Sequence, residues 1–326
     1  MGLTVAVTGP TGEIGISAVT ELERDRGVDR IIGMARRPFD PAEQGWTKTE
    51  YRQGDITERG RVDQLVADAD VVIHLAFIIM GSREESGRVN LAGTRNVFEA
   101  TVAAQRPRRL VYTSSVAAYG YHSDNPVPIT EEVPPRGSPE HYYSEQKAAC
   151  EAALDDIVGG SSLEVYVLRP CIVAGPKATA MADVMPWNQL PGAVKRVTQT
   201  LPLLKPPFPD PGTPLQLVHH DDVATAIALA ATTSAPPGAY NLAGDGVVSM
   251  STVATELGAR PVRVPGVAAK AASAMVARLP FVPPALEWLH VGRTSVVMDT
   301  TKAKTQLGWS PRHTAAETLS ALAESV

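Results

Sequence analysis

The stretch that most constrains this chain is its start, Leu3-Thr-Val-Ala-Val-Thr-Gly-Pro-Thr-Gly-Glu-Ile-Gly15, where a β-branched and small apolar run meets glycines at 9, 12 and 15. Helix-compatible spacing follows through Glu23. The pattern predicts a strand, a tight turn and a helix. Gly9 permits the turn, Gly12 lets the backbone approach a pyrophosphate, and Gly15 lets the helix pack closely on the strand. A phosphate placed there would meet free N–H groups and the positive end of the helix dipole. Thr11, Glu13 and Ile14 fall in the same turn and join the expected cofactor contacts.

Beyond the turn, strand-like and helix-like stretches alternate. Residues 30–36 form a short apolar run ending on Arg36 and Arg37, and 38–49 lack any regular period. Residues 50–55 feed the turn at Gly54-Asp55, 59–67 have helical spacing, 71–75 are a buried strand, 90–100 a helix and 109–113 a strand. Such alternation predicts an α/β fold, a Rossmann-type doubly wound parallel sheet with a smaller C-terminal substrate lobe, and ligands at the carboxyl ends of the strands. Gly9, Arg36, Asp55, Ala76 and Ser114-Ser115 all stand directly after strands.

The second half is less regular. Residues 121–139 read as an extended loop, with Ser138 as N-cap and Pro139 as first residue of a helix reaching 158. Residues 163–168 are a sixth strand; 174–213 turn proline-rich, with helical character near 193–199. Residues 215–222 return to strand-like sequence before a helix at 223–232, and 240–243 form another short strand. At about 150 residues per domain, the 326 residues suggest two lobes. We assign 1–173 with 214–245 to dinucleotide binding and 174–213 with 246–326 to the substrate lobe.

A net charge of -5 with scattered Lys and Arg leaves no basic stripe for nucleic acid. Cys150 and Cys171 have no metal-ligand spacing with the histidines, so no metal site is expected. The apolar run at 71–80 falls well short of the roughly 20 residues that span a bilayer. A second at 267–289 is broken by Lys270, Arg278 and prolines. With no charged leader or signal core ahead of the first strand, no membrane partner and a cytoplasmic location are expected.

Tyr143 and Lys147 lie four apart on one expected helix and project from the same face. A phenol with a reference pKa of about 10 is a weak acid-base catalyst near neutrality, and a neighbouring ammonium favours its ionised form. Tyr142 has only the uncharged Gln146 at that spacing, so the role falls to Tyr143.

Together, the Gly-rich turn, His74-Leu-Ala76, Ser115 through Tyr119-Gly120 and Tyr143-xxx-Lys147 resemble the extended short-chain dehydrogenase/reductases. So do Leu168-Arg-Pro170, Gly175-Pro176, Val218-His-His-Asp-Asp222, Tyr240-Asn-Leu-Ala243 and Leu307-Gly-Trp309; the likeness covers residues 3–311. The resemblance implies that Tyr143 exchanges a proton with a carbonyl or hydroxyl oxygen while hydride passes to or from a nicotinamide. Ser115 would hold that oxygen, and Lys147 would lower the tyrosine pKa and bind the ribose. Asn90 matches an asparagine that assists a water-mediated proton relay. Asp55 and Ile56 match the adenine-contacting turn, and Pro170, Ile172 and Val173 the segment beside the nicotinamide. Leu75, Ala76, Phe77 and Thr113, at strand exits, complete the cofactor contacts. A homodimer is implied as well.

NAD enzymes usually offer an acid about 20 residues past the turn for the ribose 2′-hydroxyl. Here Ala35, Arg36 and Arg37 stand there, and the nearest acid is Asp40. Arg36 suits a 2′-phosphate, so NADP is expected over NAD. In sugar-nucleotide enzymes of this type an asparagine commonly follows the Arg-Pro; here Ile172 occupies that place and Ala174 that of a common tyrosine. Residues 181–187, 201–208 and 275–281 are also apolar, and Arg196, Arg263 and Arg293 sit in no phosphate motif. The expectation is an NADP-preferring oxidoreductase interconverting a carbonyl and an alcohol on a largely apolar small molecule. Alternatives are a nucleotide-sugar epimerase or dehydratase retaining NAD, and a cofactor-binding regulator without turnover. His219 and His220 are expected to be structural.

Overall fold

The computed structural model describes residues 2–79, 83–183, 185, 205–264 and 294–326. The expected helical and apolar segments at 193–199, 267–289 and 275–281, with Arg196 and Arg293, lie outside the described residues.

Seven parallel strands form the central sheet. In chain order these are β1 (Leu3–Thr8), β2 (Val28–Ala35), β3 (Thr49–Gln53), β4 (Val71–His74), β5 (Arg109–Thr113), β6 (Glu164–Pro170) and a last strand, Gly238–Leu242. Across the sheet they stand as Gly238–Leu242, β6, β5, β4, β1, β2, β3. The chain winds outward from β1 to β3 and then crosses to β4 on the other side of β1. That reversal opens a crevice at the carboxyl ends of β1 and β4, where ligands of such sheets bind. Val5, Ala6 and Val7 are fully buried, as a strand covered on both faces requires. On one side α1 (Glu13–Arg24) packs against the helix His220–Thr232. The other side carries α2 (Arg59–Val66), α4 (Thr94–Ala104) and α5 (Tyr142–Val158), with a short α3 (Arg83–Gly87) ahead of α4.

Several boundaries differ from expectation. The tyrosine-bearing helix begins at Tyr142, not Pro139, and its N-cap is His141. Ser138 caps nothing: its hydroxyl accepts the Tyr121 N–H at 2.8 Å, and its carbonyl accepts that of His141 at 2.9 Å, closing a turn ahead of the helix. Residues 38–49 contain a single 3-10 turn, Pro41–Gln44, capped by the Asp40 side chain. Asn90 belongs to a π-helical turn, Arg88–Gly93, that leads into α4. The strand Leu217–His219 pairs with Ile172–Ala174 in a separate two-stranded ribbon rather than joining the main sheet. Two further ribbons pair Pro207–Asp210 with Arg260–Arg263 and Pro214–Leu215 with Val248–Ser249. Around them Ala174, Leu217, Val253 and Leu319 share a core distinct from those on the two faces of the main sheet.

A buried polar network ties the sheet to α5. Arg169 on β6 donates to Glu151 of α5 through Nε at 3.0 Å and Nη2 at 2.5 Å, and through Nη1 to the Tyr119 hydroxyl at 2.9 Å. Tyr119 donates in turn to Asn241 Oδ1 at 2.7 Å, and Asn241 Nδ2 donates to the carbonyls of Ile129 and Asp299. Burial alone would lower the Arg169 pKa; its bonds to Glu151 more than reverse this, so the guanidinium stays charged.

His74, fully enclosed, lies 2.7 Å from Thr8 Oγ1 through Nδ1 and 2.9 Å from Thr94 Oγ1 through Nε2. Burial pushes its pKa down from 6.5 to about 3. The unfolded chain therefore takes up a proton near its ordinary value while the folded chain does not. Stability falls as pH drops below that ordinary value, by at most about 1.4 kcal/mol per pH unit. Urea midpoints measured between about pH 7 and pH 5 should fall less in a His74→Asn variant than in the parent; parallel curves would discard this account.

Candidate active site

Two adjoining cavities occupy the crevice, one of about 390 Å³ and one of about 190 Å³. Gly9, Gly12, Leu75 and Phe77 contribute to the walls of both. Gly9 has φ +73°, and a Cβ there would come within 2.9 Å of the Ala76 backbone. At Gly15 a Cβ would fall 2.1 Å from the Gly9 carbonyl oxygen, so strand and helix can meet only without a side chain. Gly12 differs, since a Cβ there would find its nearest neighbour at 3.5 Å. The protein itself does not demand glycine at 12; the bare backbone lines the cavities and leaves room for a close ligand.

The smaller cavity is walled by Thr11, Ala35, Arg36, Arg37, Asp55, Ile56 and Ala76, among others. Asp55 there accepts from the Thr57 N–H at 2.9 Å and hydroxyl at 2.8 Å. Asp40 is turned to its own loop, accepting from Ala42 N–H at 2.9 Å. Among the described lining residues, two guanidinium-bearing side chains thus stand at the exit of β2 and no carboxylate does.

The larger cavity brings together Glu13, Ile14, Thr113, Ser115, Tyr143, Lys147, Pro170, Ile172 and Val173. Ser115 leaves β5 in extended backbone, its side chain accepts the Ala117 N–H at 3.2 Å to cap the turn Val116–Tyr119, and it shares the cavity wall with Tyr143. Ser114 beside it donates to Glu151 at 2.5 Å. Lys147 Nζ donates to the Thr113 carbonyl at 2.9 Å and lies 3.6 Å from the centre of the Phe77 ring. Burial lowers its pKa to about 8.

The expected lowering of the tyrosine pKa is absent here. Burial raises it, and the nearby Ser115 side chain opposes that rise only in part. The Lys147 ammonium stands 5.9 Å from the Tyr143 ring centre and is spent on a carbonyl and an aromatic face. Desolvation, which spacing along a helix cannot reveal, outweighs the neighbouring charge.

Asn90 is fully buried and fastens the loop after β4. It accepts the Ile78 N–H at 2.8 Å and donates to the Ile78 carbonyl at 2.9 Å and to Gln146 Oε1 at 2.8 Å. These bonds run to the loop and to α5, not to Tyr143 or Lys147. The walls also include Met181, from the apolar stretch 181–187, and residues that spacing did not single out: Ile79, Val116, Tyr121 and His141. The His141 ring meets Tyr121 edge-on at 5.5 Å and Tyr143 at 6.1 Å. Its place just before Tyr142-Tyr143 was the available signal, hidden by the assumption that the helix had already begun. Among the described lining residues of this cavity, Lys147 is the one lysine or arginine. Arg263 lies on an exposed ribbon, 3.8 Å from Asp210.

His219, His220 and Asp221 place donor atoms within 4.8 Å of one another. His219 Nδ1 accepts the Asp221 N–H at 3.2 Å, and His220 Nδ1 lies 2.8 Å from Ser17 Oγ and 3.0 Å from Asp221 Oδ1, while His220 Nε2 is buried without a hydrogen-bond partner. Asp222 takes the backbone N–H groups of Arg312 and His313, pinning the later chain to this corner. No helix among the described residues is long and apolar enough to cross a membrane.

Comparison with known proteins agrees with this architecture. The NAD dependent epimerase/dehydratase family matches residues 5–243. An uncharacterized protein of Sinorhizobium fredii is 28% identical over 95% of this chain and 75% of its own length. Human 3 beta-hydroxysteroid dehydrogenase type 7 is 32% identical over 56% of this chain and 53% of that protein. In fold, the chain is similar to MoeE5, solved with UDP-glucose and NAD, at a TM-score of 0.71 and 23% identity over 99% of this chain and 98% of that one.

Proposed function

This chain belongs to the NAD dependent epimerase/dehydratase family, and from that premise we propose that it is an NADP-preferring oxidoreductase interconverting a carbonyl and an alcohol on a largely apolar small molecule. The observation that carries the reading is the meeting of Ser115, Tyr143 and Lys147 in the wall of one largely apolar cavity. Gly9 to Gly15 and Asp55-Ile56 would hold the dinucleotide, with Arg36 at its adenosine end and Lys147, Pro170 and Val173 at the other. The bare backbone at Gly12 fits such a group. When bound, the nicotinamide supplies or accepts the hydride. Ser115 holds the substrate oxygen and Tyr143 exchanges the proton there. Because burial raises the Tyr143 pKa, the phenol is protonated near neutrality and ready to donate in the reductive direction.

Arg36 supports NADP. Charge-assisted bonds to a 2′-phosphate contribute about 1.5–3 kcal/mol. Arg36→Ala should therefore cut the ratio of kcat/KM for NADPH over NADH by about 10–100-fold. A parent enzyme that already favours NADH, or a ratio untouched by the substitution, would end this assignment.

The family and the likeness to MoeE5 favour a second reading, a nucleotide-sugar epimerase or dehydratase that retains its NAD. The two separate in one assay. Purified protein should consume added NADPH with acetophenone, benzaldehyde or cyclohexanone; conversion of UDP-glucose with no net cofactor consumption would replace the first reading with the second.

A further inference from the structure

We propose that Glu13 is a positioning residue, a clasp that ties the substrate side of the crevice to the phosphate-binding turn. Glu13 opens α1, directly after Gly12, where a pyrophosphate would meet the helix. A carboxylate beside that place repels phosphate unless its charge is engaged elsewhere. Here it is engaged: Oε1 accepts the Ala180 N–H at 3.2 Å, and the neighbouring Thr179 amide also favours the ionised carboxylate. These amides stand at the start of α6 (Ala180–Asp183), whose Met181 lines the larger cavity beside Glu13 and Ala180.

The segment leading to α6 is pinned at its other end. Gly175 has φ +128°, and a Cβ there would come within 2.9 Å of both His219 and His220. Between that close packing and the Glu13 bonds, residues 175–181 have a fixed course over the cavity. Burial of the Glu13 carboxyl raises its pKa and the backbone bonds oppose this, while Asp183 raises it and His220 lowers it. The dinucleotide turn and the Met181 wall are thereby one mechanical unit.

The inference rests on the proposed oxidoreductase reading, and its test has arms that do not. In Glu13→Ala, amide exchange in residues 175–183 should accelerate by about tenfold, the equivalent of one lost charged hydrogen bond. NADPH affinity, followed by its fluorescence, should stay within about twofold or tighten, because a negative charge has left the phosphate end of α1. With acetophenone as substrate, KM should rise by about tenfold with a smaller change in kcat. Glu13→Gln keeps an acceptor oxygen and should restore both exchange and KM. Unchanged exchange in Glu13→Ala would overturn the clasp, and so would a loss of NADPH affinity as large as the rise in KM. If no ketone is turned over, the functional reading fails while exchange and NADPH binding still decide the role of Glu13.

Discussion

Tyr143→Phe is expected to reduce kcat for carbonyl reduction by about 10²–10⁴-fold, the usual contribution of a positioned acid. Tyr143 lines the cavity with Ser115, so removal of its hydroxyl deletes the proposed proton donor and leaves the phenyl ring to pack as before. KM for NADPH should move less than about twofold, because an interaction made only in the transition state lowers kcat without weakening ground-state binding. The raised Tyr143 pKa adds a pH signature. A phenol whose folded value lies above its ordinary 10 keeps its proton across the neutral range. The reductive rate should then show no fall from tyrosine ionisation between about pH 6 and pH 9, whereas the oxidative direction, which needs the base form, should accelerate as pH rises. Steady-state kinetics of the parent and the variant in both directions would check this. Undiminished turnover in Tyr143→Phe would assign the chemistry to another group, and a parent with no turnover at all would favour a cofactor-binding regulator.

The elements most readily read from the residues were those fixed by local steric rules. The turn at Gly9–Gly15 is an example, since φ at Gly9 and the 2.1 Å approach at Gly15 leave no other residue type. The central strands declared themselves through unbroken apolar runs buried on both faces. Where the reading departed from the structure, the deciding partner lay far away along the chain. Ser138 has the side chain of an N-cap, yet its hydroxyl is drawn to the Tyr121 N–H, 17 residues earlier. Asn90, which the family resemblance matches to a relay asparagine, has its side-chain amide engaged by Ile78 and Gln146, partners that no sequence interval points to. Lys147 stands at the right interval from Tyr143, but interval says nothing about how much water either group has lost. Glu13 was legible as part of a phosphate-binding turn; its bond to Ala180, 167 residues later, was not.

The largest expected loss of stability follows from Glu151. Its carboxylate and the Arg169 guanidinium are both about 6% exposed, and together they form the buried joint between α5 and β6. Glu151→Leu would leave a buried guanidinium with no counter-charge and remove the acceptor of Ser114, a loss of about 3–5 kcal/mol. The urea midpoint should fall with little change in slope, since the folded and unfolded surfaces are nearly the same. A merely apolar deficit predicts differently. If desolvated charge is the cause, adding Arg169→Met to Glu151→Leu should recover much of the loss, because a buried pair replaced whole by apolar groups is often neutral in stability. Additive destabilisation in the double variant would discard that explanation. Function is coupled to the same joint. Glu151 lies one helical turn beyond Lys147, which lies one turn beyond Tyr143, so all three share a face of α5. Ser114, held by Glu151, precedes Ser115, which lines the cavity with Tyr143. The pair therefore anchors both members of the proposed site at once, Tyr143 through the helix and Ser115 through the strand end. Glu151→Leu that still folds should lower kcat more than it raises KM, and the Arg169→Met companion should return stability more fully than rate, since it restores packing without restoring the bond that orients Ser114.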